Sequence, residues 1–418
     1  MDKFIIDGGR QLFGTVRIQS AKNSVLPLLA ASILTEKQVT IREIPAITDV
    51  SCMAQILREL GAEVKFHGGD VTIDSSKAFS HEISSVLTKE LRSSVFMLGS
   101  LLTRFHRALI AYPGGCDIGL RPIDLHLGAL KRLGVDIAER DGYILCKCEK
   151  LRGAEILLDF PSVGATENIL LAAVKAEGRT VLQGAAKEPE IVDLQNFLNA
   201  MGAKISGAGT DVIEIEGVKE LQGVVYKPIK DRIEAGTFLI AGAICGGEVE
   251  VTGVRAENVG FLLHKLRENG CKIAVKNDKI RVESRGRLRC NRRIETMPHP
   301  GFPTDLQAQA TALNTVCEGG ALIVENLFET RFKYVPELQK MGADIEVKGR
   351  NAFVRGVKSL HGASLVAGDL RGGAALVIAA LAAQGTSEVL DLSHIDRGYA
   401  DLHDKLKGLG AEIRRVRT

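Results

Sequence analysis

The segment AYPGGCDIGLRPIDLH, residues 111–126, places a thiol and a cation in one glycine-rich loop. Cys116 follows two glycines, and Arg121 stands five residues further along the chain. Glycines let a backbone approach a ligand closely, and an arginine can grip a carboxylate or a phosphate. A nearby arginine and backbone amides favour the thiolate form of a cysteine, which is the reactive form. The segment therefore predicts a reactive Cys116 beside a bound anion, and the alternative is a redox-inert loop cysteine.

Charged side chains also stand where six apolar segments begin. The segments start at Ala21, Arg92, Ala165, Glu234, Asp305 and Arg371. Helices that are apolar on every side are buried, so we expect their polar first residues at exposed helix ends. Those residues are Lys22, Arg92, Glu234, Asp305 and Arg371. Helix N-termini attract anions, and these starts differ in the charge that they carry, with lysine or arginine at three and an acidic residue at two. The pattern favours one asymmetric anion site over a solenoid whose repeats serve only packing.

An internal repeat predicts the elements that position these residues. LRELGAEV (57–64) recurs as LKRLGVDI (130–137), LNAMGAKI (198–205), LRENGCKI (266–273), LQKMGADI (338–345) and LKGLGAEI (406–413). Each copy indicates an amphipathic helix that ends at a glycine in a left-handed C-cap conformation, followed by a β-rich stretch. Six copies fill the chain, so we expect two domains of three repeats each.

The domain boundary is expected near YKPIKDRIEAGTF, residues 226–238. We expect a first domain over residues 22–229, which carries the Cys116 loop, and a second over residues 1–21 together with 230–418. Residues 1–21 precede the first buried helix and have no repeat of their own. The simplest completion is that they supply the last strands of the sixth repeat.

Composition excludes several classes of partner. A net charge of +3 is too small to indicate a polyanion partner, and 5% aromatic residues without tryptophan argue against a nucleic-acid binder. The N-terminus lacks the features of a signal peptide, and the apolar stretches are shorter than a membrane span. Eight cysteines without framework spacing fit reduced thiols. We therefore expect a cytoplasmic protein that binds neither nucleic acid nor membrane.

Six motifs, in order, carry a resemblance to a known family. They are SAKNSVLP (20–27), PGGCDIGLRPIDLH (113–126), PSVGATENI (161–169), GFPTDLQAQ (301–309), DLRGGAAL (369–376) and HIDRGY (394–399). Together they resemble the enolpyruvyl transferases, in the branch that uses a sugar nucleotide. The resemblance implies an α/β (α+β) fold, a two-domain inside-out α/β barrel of six βαβαββ-type repeats, three per domain. It also implies an active site in the cleft between the domains.

The resemblance implies a reaction between two small substrates, phosphoenolpyruvate and UDP-N-acetylglucosamine. The enolpyruvyl group passes to the 3-hydroxyl of the sugar by addition and elimination, with release of phosphate, as the first committed step of peptidoglycan synthesis. The family's proton donor, which also forms a covalent adduct, matches Cys116, and its base matches Asp305. The phosphoenolpyruvate clamp matches Lys22, Asn23, Arg121 and Arg397, with Arg371 nearby. A helix cap is a second role for Asp305, and the alternative for each clamp cation is a salt bridge between domains.

The resemblance also implies the contacts to the sugar nucleotide. The matching residues are Arg92, Arg121, Pro122, Ile123, Asp124, Leu125, Ser162, Val163, Gly164, Asp305 and Leu327. Phe160 replaces a lysine found in some members, and Leu327 replaces a β-branched residue. The glycines around Cys116 are expected to let that loop close over the bound sugar nucleotide. No metal and no organic cofactor is implied, and the resemblance names no protein partner.

Three alternative functions fit the sequence less well. The nearest is the sister activity that makes enolpyruvylshikimate phosphate on the same fold, against which Cys116 and RPIDL (121–125) argue. An inactive regulatory paralogue would have damaged site residues, whereas Lys22, Cys116 and Asp305 are present. An RNA-binding repeat protein has no support from charge or aromatic content.

Overall fold

The structure is a computed structural model that describes residues 2–112 and 123–417. The described chain divides into two units. The terminal unit contains residues 2–19 and 230–417, and the inserted unit contains residues 20–112 and 123–229. Each unit is described by itself below.

The described residues form 24 strands. They are β1 (Lys3–Asp7), β2 (Leu12–Arg17), β3 (Val39–Ile41), β4 (Glu63–His67), β5 (Asp70–Asp74), β6 (Glu82–Ile83), β7 (Arg107–Ala111), β8 (Asp136–Arg140), β9 (Tyr143–Lys147), β10 (Glu155–Leu157), β11 (Arg179–Gln183), β12 (Lys204–Ser206), β13 (Val212–Glu216), β14 (Val225–Tyr226), β15 (Gly247–Thr252), β16 (Lys272–Lys276), β17 (Lys279–Ser284), β18 (Arg293–Glu295), β19 (Gly320–Val324), β20 (Asp344–Lys348), β21 (Asn351–Arg355), β22 (Ser364–Val366), β23 (Thr386–Leu390) and β24 (Glu412–Val416).

The same residues form 14 α-helices. They are α1 (Lys22–Ala31), α2 (Thr48–Glu59), α3 (Ser85–Glu90), α4 (Met97–Phe105), α5 (Asp124–Arg132), α6 (Val163–Ala173), α7 (Pro189–Ala200), α8 (Arg232–Cys245), α9 (Gly260–Asn269), α10 (Gln307–Asn314), α11 (Val335–Lys340), α12 (Leu370–Ala382), α13 (Ser393–Asp396) and α14 (Leu402–Gly408). Short 3-10 helices span Ser32–Leu34, Arg92–Phe96, Ala256–Val259 and Thr304–Leu306. Of these described helices, none has the length and apolar character that crossing a membrane requires.

One sheet pattern recurs in all six repeats. In the third repeat β10 runs parallel to β11, and α6 connects them, since parallel neighbours need a crossover. β13 then pairs antiparallel with both β11 and β12, giving the order β10-β11-β13-β12. The other five sheets repeat this order. The predicted βαβαββ units, three in each unit of the chain, are therefore confirmed.

Both units are completed by strands that lie far away in sequence. β14, near the end of the inserted unit, runs parallel to β3 and is the first strand of the first repeat. β1 lies between β23 and β24 in the sixth repeat, whereas β2 runs parallel to β15 in the fourth. The expectation that residues 1–21 complete the sixth repeat is right for β1 and wrong for β2. Alternation in β2 shows which face is buried but does not select the sheet.

The predicted apolar helices form the interior of each unit. In the inserted unit α4 packs against α1 and α6, and in the terminal unit α8, α10 and α12 pack against one another. Because the sheets lie outside these helices, the inside-out barrel is confirmed. The expectation of exposed polar helix starts is wrong for three residues. Lys22, Glu234 and Arg371 are 8%, 1% and 3% exposed, because each is paired with an opposite charge.

The predicted glycine C-caps are confirmed. Gly61, Gly134, Gly202, Gly270, Gly342 and Gly410 have φ values of 96°, 92°, 100°, 102°, 89° and 96°. This left-handed conformation costs glycine little, and it turns the chain from each amphipathic helix into the following hairpin.

Candidate active site

Asp305 is held between two buried arginines of the terminal unit. Its Oδ1 accepts a hydrogen bond from Nη2 of Arg331 at 2.9 Å, and its Oδ2 accepts one from Nη2 of Arg371 at 3.0 Å. The arginine side chains are 3% and 4% exposed, whereas that of Asp305 is 25% exposed. The two guanidinium groups stabilise the charge of a carboxylate that still reaches solvent. A carboxylate has about four acceptor positions, and these bonds use one on each oxygen.

The alternative role of Asp305 as a helix cap is wrong. Asp305 lies inside the 3-10 turn Thr304–Leu306, and neither this turn nor α10 receives a side-chain cap. Its carboxylate is directed to the two arginines instead. A charge-assisted bond to a buried guanidinium is stronger than a bond to a backbone N–H, which explains the preference.

A true cap fixes Arg371 at the start of α12. Oδ1 of Asp369 accepts hydrogen bonds from the backbone N–H groups of Arg371 and Gly372, both at 2.9 Å. The guanidinium of Arg371 lies over the ring of Tyr399, 5.4 Å from its centroid. Its Nε and Nη1 groups have no hydrogen-bond acceptor among the described residues. A fixed arginine with unused donors is suited to binding an anion.

Leu327 and the segment before Asp305 are tied together by one buried carboxylate. Glu325 is fully buried, and its Oε1 accepts the backbone N–H of Leu327 at 2.9 Å. Its Oε2 accepts the hydroxyl of Thr304 at 2.9 Å. The carboxylate of Glu325 therefore connects Leu327 with Thr304, the residue before Asp305.

Arg397 is the C-terminal cap residue of α13 and is partly buried. The carboxylate of the preceding residue, Asp396, accepts hydrogen bonds from Arg415 at 2.7 and 2.9 Å. The residue before Arg397 is thus anchored by a side chain of β24.

In the inserted unit, Lys22 and Asn23 begin α1. Nζ of Lys22 lies 2.7 Å from Oδ2 of Asp49, near the start of α2, and Asn23 is partly exposed. The next residue, Ser24, donates its hydroxyl to Asp193 in α7. These two side-chain contacts fix the first turn of α1, so the direction of the Lys22 side chain is set by its neighbours.

The predicted nucleotide-binding segments meet at a buried histidine. Ile123 and Asp124 begin α5, Ser162 caps α6 with its hydroxyl, and Val163 and Gly164 follow it. A methyl group at Gly164 would lie 3.0 Å from Cε1 of His126, so the imidazole edge faces this backbone. Leu125 lies between the α5 start and His126 and is partly buried.

Arg92 contributes to the electrostatics of this histidine. Burial, followed by the positive charge of Arg92, lowers the pKa of His126 to about 4. Nδ2 of Asn168 donates to Nδ1 of His126 at 3.1 Å, since Oδ1 of the same amide accepts the backbone N–H of Gly99 at 2.6 Å. The neutral imidazole therefore carries its proton on Nε2, beside Gly164. Arg92, His126 and the start of α6 form one cationic and hydrogen-bond-donating corner.

Three predicted site residues, Cys116, Arg121 and Pro122, lie outside the described residues. The same is true of the glycines expected to act as hinges, and their proposed roles rest on the sequence. Within residues 2–112 and 123–417, no group of three or more His, Cys, Asp or Glu side chains is arranged to hold a metal ion.

A family model covers almost the whole chain. Residues 6–406 match the model described as EPSP synthase (3-phosphoshikimate 1-carboxyvinyltransferase). The chain belongs to the enolpyruvyl transferase family. It is therefore a transferase, and the family suggested by the six motifs is confirmed.

Individual relatives agree with this assignment. The enolpyruvyl transferase is 51% identical over 416 residues to a protein of Caldanaerobacter subterraneus subsp. tengcongensis named UDP-N-acetylglucosamine 1-carboxyvinyltransferase 2, with 100% of both chains covered. A protein of the same name from Clostridium tetani is 48% identical over 418 residues, again with 100% of both covered. Among solved structures, the enolpyruvyl transferase NikO from Streptomyces tendae superposes with a TM-score of 0.88 at 27% identity. That match covers 99% of this chain and 98% of NikO.

Sequence reasoning missed several residues that shape the site of this enolpyruvyl transferase. Arg331, Asp49 and Glu325 contact or anchor predicted site residues but lie outside every motif that we singled out. His126 was the exception, since it is the last residue of the Cys116 motif and two positions after Asp124. Its place beside the α6 start depends on a contact between α5 and α6, which local sequence does not reveal.

Proposed function

We propose that this enolpyruvyl transferase moves the enolpyruvyl group of phosphoenolpyruvate to the 3-hydroxyl of UDP-N-acetylglucosamine and releases phosphate. One observation carries the proposal: 51% identity, over the full length of both chains, to a protein named UDP-N-acetylglucosamine 1-carboxyvinyltransferase 2. Identity of this extent over a two-unit fold leaves little room for a changed substrate set. The reaction makes a precursor of peptidoglycan, which connects the enzyme with cell-wall biogenesis, cell shape and division.

Asp305 is proposed as the base of the addition step. It takes the proton of the sugar 3-hydroxyl as the hydroxyl oxygen forms a bond to C2 of phosphoenolpyruvate. Its two bonds to Arg331 and Arg371 support this role, because they fix the carboxylate in one orientation. In the elimination step the C2–O bond to phosphate breaks, phosphate leaves with the electron pair of that bond, and the Cys116 thiolate takes a methyl proton, which forms the enol ether of the product.

Cys116 is proposed to supply the proton that the methylene carbon gains in the addition step. Its thiol also accounts for a covalent adduct with phosphoenolpyruvate, as in the family. The thiolate left after proton transfer is stabilised by Arg121 and the backbone amides of a glycine-rich segment. The sequence GGCDIGLR (114–121) supports this role.

Cations are proposed to hold phosphoenolpyruvate against the repulsion between its own charges. Lys22, Arg121 and Arg397 bind its phosphate and carboxylate, with Asn23 beside Lys22 and Arg371 nearby. The buried pairing of Lys22 and the unused donors of Arg371 support this set. Fixed cations are more effective than flexible ones because they need little reorganisation as phosphate departs.

The sugar nucleotide is proposed to lie along the starts of α5 and α6. Residues 121–125 contact the uridine, and Ser162, Val163 and Gly164 bind the diphosphate with Arg92. The N-terminus of α6 offers backbone N–H groups and a positive dipole, which suits a diphosphate. Asp305 and Leu327 contact the sugar.

A cytoplasmic location belongs to the same proposal. The seven cysteines of the described residues are free thiols, as expected in a reducing compartment. The proposed partners are the two substrates, and neither nucleic acid nor a membrane is among them.

The deciding experiment measures phosphate release from phosphoenolpyruvate with UDP-N-acetylglucosamine and, separately, with shikimate 3-phosphate. We expect release with the sugar nucleotide only. Release with shikimate 3-phosphate only would assign the enzyme to the activity after which the family model is named. No release with either acceptor would indicate an inactive paralogue.

A further inference from the structure

The side chain of Gln19 holds the backbone next to Arg397 at two points. Its Nε2 donates to the carbonyl oxygen of Gly398 at 2.8 Å, and its Oε1 accepts the N–H of Ala400 at 3.1 Å. The two bonded residues flank Tyr399 in the chain. All of these residues belong to the terminal unit. A single amide thus holds the two consecutive peptide units on either side of Tyr399, beginning one residue after Arg397.

The residue between the two bonds is anchored independently. Tyr399 is 2% exposed, and its hydroxyl lies 2.9 Å from Oγ1 of Thr237 in α8 and 3.3 Å from Nε2 of Gln309 in α10. Its ring supports the guanidinium of Arg371. The segment after Arg397 therefore has contacts to both of the helices that neighbour α12 in the core.

The backbone of Gln19 is itself held by the buried side chain of Glu234. Its backbone N–H donates to Oε2 of Glu234 at 2.7 Å, and Oε1 of Glu234 accepts a hydrogen bond from Lys405 at 2.6 Å. Glu234 is 1% exposed, so this bond is well shielded from water. Lys405 lies in α14, the helix that follows the Arg397 segment. Gln19 is consequently held at its backbone and at both polar atoms of its side chain.

Arg397 lies between a residue held by its side chain and a residue held by its backbone carbonyl. Asp396, before it, is held by Arg415, and Gly398, after it, is held by Gln19. Arginine carries about 2 kcal/mol of rotamer entropy, so a fixed backbone at its base removes part of the cost of holding it on a ligand. A guanidinium displaced by about 1 Å loses much of a bidentate contact.

We propose that Gln19 is a positioning residue for Arg397, acting through its two bonds to the backbone at Gly398 and Ala400. This inference rests on the proposed function, in which Arg397 binds phosphoenolpyruvate. Gln19 does not touch substrate in this scheme. It sets the position from which the guanidinium reaches its anion.

The test compares Gln19→Met with a matched control. Methionine keeps the chain length of glutamine and removes both hydrogen bonds. Asn199 in α7 makes the same two-point contact with the backbone of Ile205, at 2.8 and 2.9 Å, and is partly buried like Gln19. Asn199→Leu therefore removes an equivalent pair of side-chain-to-backbone hydrogen bonds in the inserted unit.

Steady-state kinetics provide the first measurement. Gln19→Met is expected to raise the KM for phosphoenolpyruvate about tenfold, the effect of weakening one charge-assisted hydrogen bond. The kcat and the KM for UDP-N-acetylglucosamine should stay within about twofold of the wild type. Asn199→Leu should leave all three within about twofold. Equal KM values for phosphoenolpyruvate in the two variants would overturn the proposal.

A double variant separates positioning from a general structural effect. If Gln19 acts through Arg397, the KM of Gln19→Met with Arg397→Ala should equal that of Arg397→Ala alone. If the effects of the two substitutions on the KM for phosphoenolpyruvate were fully additive, Gln19 would not act through Arg397. If Gln19→Met does not fold, Gln19→Glu keeps the acceptor for Ala400 and loses the donor to Gly398, and the same comparison applies.

Amide hydrogen exchange keeps this inference distinct from the proposed function. Faster exchange over residues 397–400 in Gln19→Met, but not in Asn199→Leu, is expected whatever the acceptor substrate is. A wild type without turnover would refute the proposed function. Unchanged amide exchange over residues 397–400 in Gln19→Met would show that the two Gln19 bonds do not hold this segment. Changed exchange with an unchanged KM for phosphoenolpyruvate would refute the positioning role alone.

Discussion

Nζ of Lys22 lies 2.7 Å from Oδ2 of Asp49, and both side chains are at least nine-tenths buried. A lysine in such a place needs a partner, because the free energy of burying an unpaired ammonium is large. The pair therefore does two things at once. It allows a cation at the first residue of a core helix, and it limits the directions in which that cation can point.

Replacing Asp49 by asparagine should destabilise the inserted unit. The change leaves the buried ammonium of Lys22 without its carboxylate, which costs about 3 kcal/mol of unfolding free energy. Urea unfolding measures the loss. The control is Glu63→Gln, which breaks a pair with Lys65 whose side chains are 60% and 69% exposed, and it should cost less than about 1 kcal/mol. Equal losses in the two variants would show that the Lys22 pair is not desolvated.

Asp305→Asn should lower kcat by at least about a hundredfold while the enzyme still binds both substrates. An amide cannot take the proton of the sugar hydroxyl, yet it has the shape of the carboxylate, and its one oxygen can still accept a hydrogen bond from Arg331 or Arg371. Rapid-mix phosphate release and calorimetric binding separate the two effects. Asp344→Asn, in an exposed pair with Arg355, serves as the control. A variant that retained most of its kcat would remove Asp305 from the role of base.

Stability should fall as pH rises from about 4.5 to about 7 because of Glu234. Burial raises the pKa of Glu234 to about 7, against the opposing attraction of Lys405. In this window the unfolded carboxyl has lost its proton and the folded one retains it, so the folded state binds more protons and loses stability with rising pH. The shift corresponds to about 3 kcal/mol.

Glu234→Gln is the variant that tests this titration. Its unfolding free energy should change less than that of the wild type between pH 4.5 and pH 7. Glu248→Gln, at a position where the side chain is 45% exposed, should follow the wild type. A wild-type slope in Glu234→Gln would mean that another group causes the decline.

His126 should remain neutral throughout the physiological range. Its pKa of about 4 follows first from burial and then from Arg92. Imidazole resonances of labelled protein should show this titration near pH 4, and Arg92→Met should move it upward. The unfolded histidine binds its proton at higher pH than the folded one, so this group stabilises the fold above about pH 6.5 and the contribution is lost as pH falls towards 4. A His126 titration near 6.5 would contradict the burial described above.

Cys116→Ala should abolish turnover and also prevent alkylation by the epoxide fosfomycin. The reason is that one thiol is proposed to serve as proton donor and as nucleophile. Mass spectrometry of the treated wild type should show a single adduct at Cys116. Cys146, Cys245 and Cys271 provide an internal control, since burial raises the pKa of each thiol to about 12. Alkylation that persists in Cys116→Ala would place the reactive thiol elsewhere.

Local signals predicted much of the fold. The six glycines after the amphipathic helices required a left-handed conformation, and their φ values confirm it. The starts of the apolar helices fell within two residues of α1, α6, α8 and α12. At Arg92 and Asp305 the chain instead makes a 3-10 turn first, because the tight turn lets each side chain leave the helix axis towards its partners.

Non-local pairing accounts for what the sequence did not reveal. Arg331 is 26 residues from Asp305, and no periodic pattern links them. Gln19 and Gly398 are 379 residues apart. Burial of Lys22 and Glu234 likewise depends on Asp49 and Lys405, which come from other helices. Residue type indicated which side chains could be functional, but their partners are distant in sequence and were identified only from the structure.

The place of β1 between β23 and β24 has a consequence for synthesis on the ribosome. All strands of the inserted unit have been made once residue 226 has emerged, so that unit can fold first. β1 is made before the rest of its sheet and has no partner until residues 386–416 appear, roughly twenty to eighty seconds later at ordinary translation rates. During that interval it is an unpaired strand, KFIID, with a charge at each end. Those terminal charges protect the nascent chain from strand-to-strand aggregation until β23 and β24 have been synthesised.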